Sequence, residues 1–145
     1  MPVGKGIIVT NGESRVGVWI IPDNFRSGML ENFLQDIKNT GDTLWSDAVR
    51  AVNALPRNRR PFCRTCPKQS DEQCNSCHAR QKACMHTWVA WQEEPGTPLG
   101  LAITRRYLDA RATPAQDLVR WIFDLFELPL QPDETGKKPF KYGHV

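Results

Sequence analysis

The sequence predicts an α/β domain, and three observations carry that prediction. Residues 15–21, RVGVWII, form a β-branched and aromatic run of the sort that fills a buried strand. A second short apolar run, GIIVT at residues 6–10, precedes it across Asn11-Gly12, the strongest short-range hairpin signal. After Ile21 the hydrophobic period changes, with Leu30, Phe33, Leu34 and Ile37 recurring at i, i+3, i+4 and i+7 as a helical core stripe. The expected architecture is a small sheet, at least a β-hairpin with strands over about 6–10 and 15–21, packed by about five helices. The strand must end at Ile21, because Pro22 has no N–H for a ladder, and Asp23, Asn24, Ser27 and Gly28 supply turn and capping chemistry. Ligands in such folds gather where a strand gives way to a helix, here residues 22–31.

The other helices follow from their stripes and stops. Asn39-Thr40-Gly41 ends the first, and Asp42 caps a second whose core positions are Trp45, Ala48, Val49, Val52 and Leu55, closed by Pro56. Both are expected to pack on the sheet. A third runs from about residue 79 to 94, rich in indole at Trp88 and Trp91, and stops at Pro95-Gly96. Thr97-Pro98 and Thr113-Pro114 repeat a capping residue followed by proline. They introduce stripes of Leu99, Ala102, Ile103 and Tyr107, then of Leu118, Val119, Ile122, Leu125 and Phe126. Residues 1–128 are expected to be one domain and 129–145, with three prolines and no stripe, a flexible tail.

Composition bounds the setting. Apolar residues are 40% and charged residues 24% of 145, which fits a water-soluble domain with a core of its own. The longest apolar run, residues 16–21, is far shorter than the roughly 18 residues a membrane span needs. Nothing near the start resembles a secretory h-region, so a cytoplasmic location is expected. Thiols stay reduced there, and the five cysteines are expected to be free or metal-bound rather than disulfide-bonded. Only five residues precede the first strand. Its edge therefore calls for cover, from a protein partner or a second copy.

Residues 57–78 have no period and hold the sharpest chemical signal. Cys63-Arg-Thr-Cys66, seven residues, then Cys74-Asn-Ser-Cys77 match a structural tetrahedral zinc site, in which each short turn presents two thiolates to one Zn2+. Metal binding would add directly to the folding of this loop. His78 could replace one thiolate, and an iron–sulfur cluster or free or paired thiols are the alternatives. Between Arg57 and Lys82 there are seven basic residues against Asp71 and Glu72, so +5 of charge is local and the rest of the chain, from a total of +3, carries −2. Arg57, Arg59, Arg60, Arg64 and Lys68 are thus candidate nucleic-acid contacts through counterion release, although Phe62 is the single aromatic among them.

The segments VGVWIIPDNFRSGMLENFL and HTWVAWQEEPGTPLGLAI resemble the second half of an uncharacterised family of Toprim-related (topoisomerase-primase type) bacterial proteins. The resemblance covers roughly residues 6–126 apart from the cysteine loop. It implies a Toprim-like domain and, in the wider group, metal-dependent phosphodiester chemistry with an early glutamate and an Asp-x-Asp pair holding Mg2+. Gly28-Met29-Leu30-Glu31 is similar to a further acidic helix start of that group. The early glutamate and the Asp-x-Asp pair have no counterpart here, and Asn32 stands where relatives tend to have a second acid. Only Asp23, Glu31 and Asp36 remain as candidate Mg2+ or catalytic carboxylates, and a phosphoryl-transfer site needs several that converge. The chain alone is therefore expected to be catalytically incomplete, an interaction or regulatory module with a structural zinc site. Its alternatives are a zinc-stabilised nucleic-acid-binding protein and a subunit of a Mg2+-dependent nuclease completed by a partner.

Overall fold

The hairpin forms, but its two-residue loop is Gly12-Glu13, one residue later than the Asn-Gly signal places it, with Asn11 still in the ladder opposite Ser14. Gly12 takes a φ of +59°, and β1 (Ile7–Asn11) pairs antiparallel with β2 (Ser14–Val18), Ile7 opposite Val18 and Val9 opposite Val16. The computed structural model describes residues 6–63 and 77–129. Within them the molecule is a small α/β fold of this two-stranded sheet and four α-helices, α1 (Leu30–Asp36), α2 (Thr43–Ala54), α3 (His78–Ala90) and α4 (Thr113–Leu125).

β2 stops at Val18, short of the expected Ile21. The cause is Asn24, whose N–H donates to the Ile20 carbonyl (2.7 Å) and whose Oδ1 accepts the Ile20 N–H (2.7 Å). That closes a loop and takes Ile20 away from any ladder. Nor is the strand buried. Ile7, Val9, Val16 and Val18 share one outward face and, with Ile20, are between 48% (Val18) and 62% (Val16) exposed. The opposite face, with Ile8 and Gly17, rests on α4.

The helices α1 and α2 pack on α3, not on the sheet as expected. Phe33, Leu34 and Ile37 of the α1 region, Trp45, Ala48 and Val52 of α2, and Cys84, Met85, Trp88 and Val89 of α3 form one core, joined by Ala102, Tyr107 and Leu108. No residue of β1 or β2 belongs to it. Trp88 is wholly buried, sits edge-on to Trp45 (6.3 Å between centroids) and donates its Nε1–H to Asp42 Oδ2 at 2.6 Å. Asp42 is also the N-cap of α2, its Oδ1 accepting from the N–H groups of Leu44 (2.9 Å) and Trp45 (3.3 Å). One carboxylate thus fixes where α2 starts and how it meets α3.

Residues 99–107 do not make the helix their stripe suggests. A 3₁₀ turn over Leu99–Leu101 runs into a few turns that close at Arg106, whose φ is +63°. The Tyr107 N–H reaches the Ala102 carbonyl (2.9 Å) and the Arg106 N–H that of Ile103 (2.9 Å), the paired bonds that end a helix. The stop brings Tyr107 and Leu108 back into the core, and Lys38 bridges Leu108.

α4 lies under the hairpin. Trp121 fills the space beside Gly6 and Gly17 and stacks at a tilt on Trp19 (5.6 Å), while Leu125 packs on Gly17. A Cβ on Gly17 would lie 2.6 Å from the Trp121 ring. Arg15 donates to the Asp124 carbonyl (2.8 Å) and pairs with Glu127. No helix among the described residues is long and apolar enough to cross a membrane.

Candidate functional site

The strand-to-helix loop holds the three carboxylates on which Mg2+ chemistry would depend. Asp23 turns the chain there, its Oδ1 accepting from the N–H groups of Phe25 (3.1 Å) and Arg26 (2.8 Å). Its Oδ2 accepts from Arg26 Nε at 2.6 Å, and the far side of the same guanidinium pairs with Asp36. The Arg26 N–H, and then its guanidinium, hold the Asp23 carboxyl below the usual aspartate range. In return Asp23 and Asp36 raise the pKa of Arg26.

Glu31 stands apart from them. It begins α1, is 6% exposed, and has Lys82 Nζ 3.9 Å from Oε1, while its Oε2 is buried without a hydrogen-bond partner. Two of the three candidates therefore share a cation and the third is enclosed beside another. Among the described residues no three His, Cys, Asp or Glu side chains come close enough to hold a metal ion. Two carboxylates clamped on one arginine do not fit a Mg2+ site.

The cysteine site falls mostly elsewhere. Cys66 and Cys74, like Arg64 and Lys68, lie outside the described residues, as do residues 130–145 of the tail. Cys63 ends a 3₁₀ turn, Pro61–Cys63, that packs on α3, and Cys77 is the N-cap of α3, half-buried, with His78 exposed beside it. The two ends of the double-knuckle segment are thus seated on the same helix. Cys84, deep in the core, has its thiol pKa pushed up by burial.

Of the basic candidates, Arg57 and Arg59 form a 3₁₀ turn after α2, with Arg59 exposed. Arg60 is buried. Its Nε donates to the Leu55 carbonyl (2.5 Å) and an Nη to that of Asn53 (2.7 Å), so it closes the C-terminal end of α2. Arg80, also buried, donates from Nε to Asn53 Oδ1 (2.8 Å). Both cations serve the α2–α3 joint. The sequence signal for this was the absence of a glycine after α2, which leaves its last carbonyls needing another donor.

Among the described residues the hairpin is open to a ligand. Its outer face, Ile7, Val9, Asn11, Ser14, Val16 and Val18, carries no charged residue, and neither strand has a further ladder partner among the described residues. Beneath it Glu13, Arg15, Leu125, Phe126 and Glu127 line a shallow surface recess. Sequence reasoning expected cover for the first strand's edge but placed the β-branched face inside.

The model of a family described as "Protein of unknown function (DUF3226)" matches residues 1–127. No curated protein and no solved structure matches the chain.

Proposed function

The chain belongs to this family of unknown function, and we propose that it works as a catalytically incomplete, Toprim-like interaction module, docking a protein partner on the outer face of its hairpin and the free edge of β1. The observation that carries this is the exposed, uncharged β-branched face. Ile7, Val9, Val16 and Val18 form two cross-strand pairs whose burial is worth far more than their exposure to water. Isolated apolar side chains on a surface are ordinary, whereas a contiguous set on an open strand pair marks an interaction site. The partner surface that suits it is itself apolar and uncharged, since a charge placed there would lose its water and gain nothing.

A structural Zn2+ on Cys63, Cys66, Cys74 and Cys77 belongs to the same proposal. It would tie the segment between the α2 end and α3 to the two points where it leaves the core. Nucleic-acid binding ranks below the docking reading because Arg60 serves α2, and a partner-completed nuclease ranks lower because Arg26 holds both Asp23 and Asp36.

The test is isolation of the chain from its native cells as the wild type and as Ile7→Lys/Val9→Lys. A stoichiometric protein companion with the wild type, lost from the variant while its melting temperature is kept, supports docking on this face. A wild-type chain that carries no such companion, or one retained equally by the variant, overturns it.

A further inference from the structure

We propose that two copies of this chain associate through the outer edge of β2 and the flank of α4 beside it, an interface separate from the docking face. The first observation is which groups that edge presents. In a hairpin with a two-residue turn, Ser14, Val16 and Val18 exchange hydrogen bonds with β1, so the N–H and C=O groups of Arg15 and Gly17 point outward, away from β1. No strand takes them among the described residues.

The second is the direction of α4. Trp121 lies beside Gly6 and Gly17, Leu125 beside Gly17, and Asp124 and Glu127 beside Arg15, so α4 runs antiparallel beneath β2. In a right-handed helix the next residues, Ile122 after Trp121 and Phe126 after Leu125, project about 100° further round. For a helix running this way that rotation carries them to the side of β2 opposite β1. Phe126 accordingly lines its recess with Glu13 and Arg15 and with no residue of β1. It is 66% exposed, and Ile122 36%.

One flank thus combines an unpaired strand edge with an exposed apolar helix stripe below it. A two-fold axis beside β2 answers both at once. Antiparallel pairing of β2 with its copy makes a four-stranded sheet in the order β1-β2-β2-β1, because a strand edge of alternating donors and acceptors complements itself. The same rotation sets Ile122 and Phe126 against their own copies. Charge does not oppose it, since Gly17 has no side chain and Arg15 is paired within its own chain with Glu127. Two short strand edges and two such stripes make a small contact, no larger than the ~1,000 Å² a specific interface should clear. A weak, reversible dimer is expected, one that doubles the outer face offered to a partner.

The experiment is sedimentation equilibrium of the full chain across a concentration series, with amide hydrogen exchange at its two ends. The expected result is a monomer–dimer equilibrium, slower exchange at the Arg15 and Gly17 amides in the dimer, and at least tenfold weaker association in Ile122→Lys/Phe126→Lys. Ile7→Lys/Val9→Lys, on the other strand, should leave association within about twofold. A chain that stays monomeric at millimolar concentration overturns the inference. So does a dimer indifferent to the α4 pair, or one with unchanged exchange at Gly17, which also decides the matter should the α4 variant fail to fold. A heteromeric companion lost with Ile7→Lys/Val9→Lys from a monomeric chain would leave the docking reading standing and remove this one.

Discussion

The helical part and the hairpin are built from comparably apolar residues, yet one is sealed and the other open. Ile37, Ala48, Cys84, Met85, Trp88 and Ala102 have no exposed surface, whereas Val9 and Val16 are more than half exposed. The difference is geometric. A helix carries its apolar residues on one stripe and needs one neighbour, and α1, α2 and α3 serve one another. A strand alternates between two faces and needs two layers, and the hairpin has α4 on one side only. Apolar composition therefore says that a segment wants cover, without saying that its own chain supplies it.

Core truncation should show the contrast at its largest. Trp88→Ala removes the most central side chain and the donor to Asp42, and should cost about 3–5 kcal/mol by denaturant unfolding. Val9→Thr, on the open face, should change stability by less than about 0.5 kcal/mol. If Val9→Thr costs as much as a core change, the face is already covered in solution and the contrast fails.

The joint between α2 and α3 comes next. Arg60→Met keeps bulk but leaves the Leu55 and Asn53 carbonyls without their charged donor, and should cost about 2 kcal/mol. Because Arg60 is enclosed here, the same change should leave any salt-dependent nucleic-acid affinity of the folded chain unaltered. A weakened affinity at unchanged stability would return the basic loop to candidacy as a contact surface.

Gly17→Ala attacks the one layer the hairpin does have. Its Cβ meets Trp121 at 2.6 Å and Leu125 at 2.7 Å, so α4 must shift or the hairpin must lift, at about 1–2 kcal/mol. Near-ultraviolet circular dichroism should lose the Trp19–Trp121 contribution and keep that of Trp45–Trp88. Loss of both signals together would mean that the hairpin and the helices fold as one unit.

Much of this was legible in the sequence, for reasons that also mark its limits. The hairpin, the Asp42 cap and the helices α1, α2 and α4 depend on signals within a few residues and form where those signals lie, although the loop falls on Gly12-Glu13 and Val119, Ile122 and Phe126 of the α4 stripe stay exposed. What was not legible depends on distant partners. The exposure of Val16 depends on the lack of a layer above it, the burial of Arg60 on the bare end of α2, and the clamp on Asp23 and Asp36 on an arginine between them. The stripe of Leu99, Ala102 and Ile103 did promise core positions, and Ala102 is one, but Arg106 in a left-handed conformation ended the turn early. The carboxylates of the strand-to-helix loop were visible as a set, and their neutralisation was not.

That loop connects the open region to the sealed one, and its smallest expected effect tests which of them it belongs to. The Asp23 carboxyl is held below its ordinary pKa by the Arg26 N–H and guanidinium. A depressed carboxylate contributes stability above its unfolded value, about 3.9, and loses it as pH falls through its lower folded value. Asp23→Asn keeps an oxygen for the backbone N–H groups but removes the charge, so its cost should be under about 1 kcal/mol at pH 7, since the pair is partly exposed. The cost should shrink as pH falls below that unfolded value, toward the point at which the folded wild type is itself protonated. Thermal melts over that range, read separately from Trp19 and Trp88 signals, give the comparison its finest test. A pH-dependent loss confined to the Trp19 signal assigns the loop to the hairpin. The same loss in both signals means that the Arg26 clamp to Asp36 couples the loop to α1 and, through it, to the core.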